Sequence, residues 1–379
     1  MGGGRTFCGG GVREGPLDIH FAGGGTGGHL FPALALADEF RRRFPDCRIT
    51  FWGTRRGVEY RLGKKLGYPL RLLRIRGFRR GFALSNLWIP LELAGSILLL
   101  LGTFLRRRPS LVVGTGGYVS GPVVLVALLM GIPAVIHEQN SYPGATTRFL
   151  SRWVDKVYLT YSSSRQYLSP RARVEVYGNP VRGTIGHADR QQALSFLGLE
   201  EGKKTLFVFG GSQGAKGLND LVAQALPFLQ RGDLQILWAT GPAWLESIRK
   251  RVGQQQGVRL FPFIDRMDLA YRAADLAVCR AGATTLAELA MAGLPAILVP
   301  FPYATANHQE RNARELERAG AAVCLVEKQT SPEELARTAN ELLDNPERLQ
   351  QMAEKMKKQA RPNAAADIVS DLLATVLAD

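Results

Sequence analysis

The chain has 379 residues, 46% hydrophobic and 21% charged, a length that exceeds one ordinary core and points to two domains. Its 48 Lys and Arg outnumber 33 Asp and Glu for a formal net charge of +15, so an anionic partner is expected: nucleic acid, anionic lipid or a phosphorylated substrate. Four scattered cysteines (Cys8, Cys47, Cys279 and Cys324) form no CxxC pair, which argues against a zinc site and for reduced, unpaired thiols in a cytosolic setting.

Residues 1–16 lack the apolar run of a signal peptide and read as a disordered leader outside the fold. A short strand over 17–22 then meets Gly23-Gly24-Gly25-Thr26-Gly27-Gly28-His29, and a helix begins at Leu30. Glycines between a strand and a helix let backbone N–H groups at the helix start approach an anion or a sugar. Thr26 adds a hydroxyl and His29 a titratable ring. A second strand covers 48–53. A dinucleotide fold places an acid about 20 residues past its glycines; here the first carboxylate after the strand is Glu59, so a nicotinamide cofactor is poorly supported.

Arginines and apolar residues then interleave: Arg71, Arg74, Arg76, Phe78, Arg79, Arg80, Phe82, Leu84, Leu87 and Trp88. They lead into an apolar run over 89–105 that ends at Arg106-Arg107-Arg108. Its length is near the lower limit for a membrane span, but Pro90, Glu92, Gly95 and Gly102 interrupt it. Strand rhythm resumes at once, over 111–114, and a spanning helix would put strands of one sheet on opposite sides of a bilayer. A crossover helix with an exposed apolar edge, resting on an anionic membrane surface, is the favoured reading; a buried core helix is the alternative.

A second glycine turn, Gly116-Gly117-Tyr118-Val119-Ser120-Gly121-Pro122, opens a helix to Met130. A strand over 132–136 delivers His137-Glu138-Gln139-Asn140 to the carboxyl edge of the sheet, where open α/β sheets place ligands. Either a satisfied structural cluster or a ligand site accounts for four polar side chains there. Gly178-Asn179-Pro180-Val181-Arg182 suits a turn between domains.

The second half repeats the plan. A strand over 205–209 runs into Gly210-Gly211-Ser212-Gln213-Gly214 and a helix over 218–229, followed by strands over 234–239 and 259–263 that lead to Ile264-Asp265. A strand over 276–280 precedes Ala281-Gly282-Ala283-Thr284-Thr285-Leu286-Ala287-Glu288. Small and hydroxylated residues at a helix start suit a diphosphate, and an ionised Glu288 suits two ribose hydroxyls; a capping threonine with a first-turn glutamate is the structural alternative. A strand over 294–300 carries Asn307-His308-Gln309 after it, and a last helix covers 364–378.

These segments, GGTGGH at 24–29, GGYVSGP at 116–122, HEQN at 137–140, GNPVR at 178–182, GGSQGA at 210–215 and AGATTLAE at 281–288, resemble in this order the MurG family of bacterial peptidoglycan glycosyltransferases, family 28. The resemblance implies an α/β GT-B fold, two Rossmann-like domains facing across a cleft. The acceptor and membrane domain would cover 17–182 with the helix 363–379 packed back on it, and the UDP-sugar domain 183–362. It implies inverting transfer of GlcNAc from UDP-GlcNAc to the C4 hydroxyl of MurNAc in undecaprenyl-linked lipid I, making lipid II at the cytoplasmic face of the cell membrane as a peripheral protein. Partners among cell-wall synthesis and division proteins go with that setting.

Carried over by motif, the substrate contacts are Thr26, Gly27, Gly28, Asn140, Arg182, Ser212, Ile264, Ala283, Thr284, Thr285, Leu286, Ala287, Glu288 and Gln309; His308 stands where many relatives have glutamine. Membrane contact falls on Phe78, Arg79, Arg80, Phe82, Leu84, Leu87 and Trp88. His29 is the candidate base, as an imidazole titrates near neutrality, with Glu138 in reserve. No Asp-X-Asp triplet occurs, so chemistry without a metal or other cofactor is expected. Another UDP-sugar enzyme of GT-B fold (an epimerase or a glycolipid synthase), a nicotinamide oxidoreductase and a non-catalytic membrane scaffold are the rivals. Nucleic acid is not expected, for no spaced aromatics form a stacking platform.

Overall fold

The computed structural model describes residues 16–76, 88–211, 213–229, 231–253 and 255–377. They fall into two compact units. The first takes in the chain up to Glu138, Pro143–Gly178 and the segment from Asn363; the second takes in Gln139–Tyr142 and Asn179–Pro362.

In the first unit short apolar segments become strands β1 (Asp18–Gly23), β2 (Arg48–Gly53), β3 (Leu70–Leu72), β4 (Leu111–Gly116), β5 (Ala134–Glu138), β6 (Lys156–Leu159) and β7 (Val174–Val176). Helices α1 (Gly27–Arg43), α2 (Val58–Leu62), α3 (Ile89–Arg106), α4 (Gly117–Leu129) and α5 (Ala145–Leu150) connect them. Among the described residues the sheet has seven strands in the order β3-β2-β1-β4-β5-β6-β7, and its neighbouring strands pair in parallel, with Phe21 opposite Phe51 and Val113. β1 and β4 are buried throughout, as expected of parallel strands covered by helices on both faces. One core layer centres on Phe21, Phe40 and Phe51. The other centres on Trp52, Phe104 and the α4 valines.

The second unit holds α6 (Arg190–Leu197), β8 (Lys204–Phe209), α7 (Lys216–Leu229), β9 (Leu234–Ala239), α8 (Leu245–Val252), β10 (Val258–Phe261), α9 (Met267–Ala273), β11 (Leu276–Cys279), α10 (Ala283–Ala292), β12 (Ala296–Leu298), α11 (His308–Arg318), β13 (Ala322–Cys324), α12 (Pro332–Leu343) and α13 (Pro346–Lys358). Its described strands run β10-β9-β8-β11-β12-β13. The last helix, α14 (Ala364–Thr375), returns to the first unit. There Asp371 accepts hydrogen bonds from Lys156 Nζ at 2.8 Å and Tyr158 Oη at 2.7 Å, and Arg43 reaches Ser370 and the Ala366 carbonyl.

Each sheet changes direction once: the chain moves outward from β1 through β3 and restarts at β4, and outward from β8 through β10 and restarts at β11. Open α/β sheets bind ligands at such a reversal. The glycine runs after β1, β4 and β8 and the small-residue run after β11 all lie at one of these two places.

Several expected boundaries shift, among them the strand expected over 294–300, which is only Ala296–Leu298, and the one over 259–263, which is Val258–Phe261. β4 extends through Gly116 instead of stopping at Gly114, and α4 begins on the next residue. Gly116 at φ +99° and Gly117 at φ +76° make that corner without an intervening loop, a conformation open to glycine. β5 begins at Ala134, two residues late, because Pro133 has no N–H to donate and only its carbonyl joins the ladder, accepting from Val112 N at 2.9 Å. The final helix ends at Thr375.

α3 is a crossover between β3 and β4 of one sheet. Ser96, Leu100 and Phe104 face inward, while Leu91, Leu98 and Leu105 are 65%, 69% and 75% exposed. The buried-core alternative is therefore wrong for this helix, although by length and composition alone it is apolar enough to cross a membrane. Arg76 pairs with Glu92 in its first turn, with Nε at 2.9 Å. Trp88, just before it, is exposed; Phe78, Arg79, Arg80, Phe82, Leu84 and Leu87 lie outside the described residues.

Candidate active site

In the first unit two glycine corners interlock. A Cβ on Gly23 would stand 1.6 Å from Thr115 Oγ1, so glycine alone lets β1 end beside β4. Gly25, at φ +89°, turns the chain, and Thr26 follows as an extended N-cap whose side chain caps no amide. α1 therefore starts at Gly27, earlier than Leu30, and Gly27, Gly28 and His29 form its first turn. Glycine costs little there, because first-turn N–H groups have no intrahelical partner.

His29 is half-buried. Its carbonyl accepts from Thr115 Oγ1 at 2.8 Å. Its ring lies against the β4–α4 corner, so close that a Cβ on Gly116 would fall 2.7 Å from Nδ1 and one on Gly117 3.3 Å from Cδ2. Tyr118 Oη reaches Thr54 Oγ1 at 3.0 Å, tying the second corner to the end of β2.

At the end of β5 both His137 and Glu138 are buried. His137 Nε2 donates to the Gly178 carbonyl at 3.0 Å, and burial pushes its pKa down to about 4, so the ring is neutral and Nε2 carries the hydrogen. Glu138, 3% exposed, accepts at Oε2 from Gly144 N at 3.0 Å and Thr147 Oγ1 at 2.7 Å. That carboxylate fixes the start of α5.

Gln139–Tyr142 belongs to the second unit. Ser141 Oγ donates to Asn312 Oδ1 at 2.7 Å, and the Arg311 guanidinium lies 5.6 Å from the Tyr142 ring centre. α11 thus holds the segment that carries Asn140, itself half-buried.

At the second reversal Gly214, φ +70°, passes so close to β9 that a Cβ would stand 2.1 Å from the Thr240 carbonyl oxygen. Ser212, in the same loop, lies outside the described residues. After β11, Gly282 is an extended N-cap without a side-chain cap, and 283–288 are the first six residues of α10. Ala283, Thr284 and Leu286 are buried, and Thr285, Ala287 and Glu288 half-buried. Tyr271 Oη donates to Glu288 Oε2 at 2.7 Å. Desolvation nonetheless pushes the Glu288 carboxyl up to about 7, the tyrosine bond opposing it.

Arg280, buried at the end of β11, donates to the Val299 and Pro300 carbonyls at 3.0 and 3.1 Å and pairs with Glu327. It thereby anchors the loop that leads to α11. In that loop Ala306 and Asn307 have φ +51° and +54°, which costs an alanine of order 1 kcal/mol or more. Gln309 Oε1 accepts from Phe301 N at 2.9 Å. Ile264 packs into the core beside β8, so its backbone is what it offers a ligand, and Arg182 is exposed.

Sequence reasoning finds the corners but misses what braces them: Glu59, Thr115, Tyr271 and Asn312. Each acts on a partner remote in the chain, and no local spacing marks it.

The glycosyltransferase family 28 N-terminal domain matches residues 19–159 and the family 28 C-terminal domain residues 205–368. A protein of Prosthecochloris aestuarii named UDP-N-acetylglucosamine–N-acetylmuramyl-(pentapeptide) pyrophosphoryl-undecaprenol N-acetylglucosamine transferase is 42% identical, over 93% of this chain and 97% of its own. One of the same name from Desulforamulus reducens is 41% identical over 92% and 95%. The crystal structure of Acinetobacter baumannii MurG superposes with a TM-score of 0.73 at 31% identity, covering 95% of this chain and all of that one. With both family domains in order and relatives of this identity along nearly the whole chain, the protein belongs to glycosyltransferase family 28, among the MurG transferases.

Proposed function

We propose that the protein transfers GlcNAc from UDP-GlcNAc to the C4 hydroxyl of MurNAc in lipid I, yielding lipid II for peptidoglycan synthesis. The observation that carries this is the 42% identity, over 97% of its length, to a protein named for that transfer. The geometry supports it.

In this reading the second unit takes the donor. The uncapped start of α10 faces the diphosphate with N–H groups and the positive end of the helix dipole, and Arg182 adds charge as UDP departs. Glu288 accepts the ribose hydroxyls, while Asn140, Ile264 and Gln309 bound the base and sugar. The first unit takes the acceptor at the interlocked corners of Thr26, Gly27, Gly28 and Tyr118.

Inversion by one displacement needs a base for the acceptor hydroxyl. We assign His29 rather than Glu138, whose carboxylate already serves Gly144 and Thr147. The exposed leucines of α3, with arginines at its end, rest on the anionic cytoplasmic face of the membrane, where the lipid acceptor is.

The test is transfer of labelled GlcNAc from UDP-GlcNAc to a lipid I analogue, with UDP-GalNAc and UDP-glucose as controls. Label should enter the lipid from UDP-GlcNAc alone. Equal labelling from the other donors would remove the donor assignment, and none from any donor would remove the reaction.

A further inference from the structure

Glu59 is 1% exposed, and the reaction as assigned leaves it without a task. Its Oε2 accepts from Gly25 N and its Oε1 from Thr54 N, both at 2.9 Å. One carboxylate therefore clips the first glycine corner to the end of β2. Space for it is reserved by glycines from three places: a Cβ on Gly24 would lie 2.6 Å from Oε1, on Gly53 2.3 Å from Cγ, and on Gly57 1.9 Å from Oε1. Gly57 has φ −77°, which any residue adopts, so its lack of a side chain answers to the carboxylate and not to the backbone.

We propose that Glu59 is a positioning residue for the transfer: it sets the backbone of the corner Gly24-Gly25-Thr26 and, through it, the place of His29 against the acceptor. Bonds from N–H groups to a carboxylate are stronger than neutral ones. The bond from Gly25 grips the chain immediately before Thr26, from which α1 and His29 follow, and the bond from Thr54 ties that grip to the end of β2. Thr54, the second donor, also bonds Tyr118 at 3.0 Å, so the same carboxylate steadies the partner corner. The inference rests on the transferase reading and deepens its acceptor side.

Two variants test it, each assayed with saturating substrates and with active sites counted by UDP binding. Glu59→Gln keeps the shape but sets an NH2 against a backbone N–H. Gly57→Ala keeps the charge and pushes the carboxylate from its seat. Each should lower kcat by about 10- to 100-fold, the scale of a misplaced reacting group, while the dissociation constant for UDP stays within about twofold of wild type. Because both act on one clip, the double variant should be no slower than the slower single one.

A kcat within about twofold of wild type in both variants overturns the proposal. So does a matching loss of UDP affinity, or failure of both variants to yield UDP-binding protein, since either makes Glu59 a general stabiliser. Should wild type transfer no GlcNAc, the transferase reading fails and takes this one with it; wild-type transfer with unaffected variants removes the Glu59 assignment alone.

Discussion

A carboxyl that must accept two hydroxyl hydrogen bonds has to be ionised, and burial pushes Glu288 up to about 7. The KM for UDP-GlcNAc should therefore rise about tenfold between pH 8 and pH 6 as the ionised fraction falls. Glu288→Gln should raise KM at pH 8 and flatten that dependence; a parallel profile in the variant would remove Glu288 from the ribose. Stability gives an independent check. With its folded pKa above the ordinary carboxyl value, Glu288 contributes stability at low pH that is lost as pH rises toward 7. Glu288→Gln should accordingly melt about 2–4 °C above wild type at pH 8 and lose that gain near pH 4.

His137 works the other way. Its folded pKa is depressed to about 4, so folded protein binds fewer protons than unfolded between about 6.5 and 4, and stability falls as pH falls through that window. His137→Gln should lower Tm at pH 7 yet decline less steeply in acid; an identical acid slope in both proteins would contradict the buried neutral ring. At this scale Glu288 stands out in the sequence because it follows its small-residue run directly. Tyr271, 17 residues upstream and 2.7 Å away, is invisible until the chain folds.

Elements were legible where periodicity is strong. β2 and β9 run over the residues expected, since each sets large apolar side chains into a six-residue stretch. α5, β6 and β7 lie in a stretch where the elements are only three to six residues long, too short for a pattern to stand out. The β4–α4 junction misleads for another reason: its glycines read as a loop, yet they make a corner tighter than any loop.

α3 shows the same limit, for its apolar residues point both ways and composition cannot divide inward from outward. Leu100 and Phe104 are core, whereas Leu91, Leu98 and Leu105 repeat every seven residues on an exposed stripe. Replacing Leu98 and Leu105 with glutamate should cut binding to anionic vesicles by about tenfold or more, with calorimetric UDP affinity unchanged. Vesicle sedimentation equal to wild type would place the membrane contact elsewhere.

Over the whole molecule, one device appears twice. Each parallel sheet reverses its strand order once, and the small-residue corners gather at the reversal. That is why three glycine turns and one small-residue run, far apart in the sequence, pair off as β1 with β4 and β8 with β11. The net charge of +15 fits a diphosphate donor, a diphosphate-linked acceptor and an anionic surface together.

In the proposed reaction a helix start and Arg182 meet the leaving-group charge, in a chain without an Asp-X-Asp triplet. Turnover should accordingly survive EDTA unchanged, whereas loss with EDTA and recovery with Mg²⁺ or Mn²⁺ would refute that part. The most direct measurement is the linkage formed when UDP-GlcNAc and a lipid I analogue are turned over, read by NMR of the purified lipid. Single displacement from an α-linked donor requires a β-linked GlcNAc on C4 of MurNAc. An α linkage, attachment at another hydroxyl, or sugar released free of the lipid would contradict it.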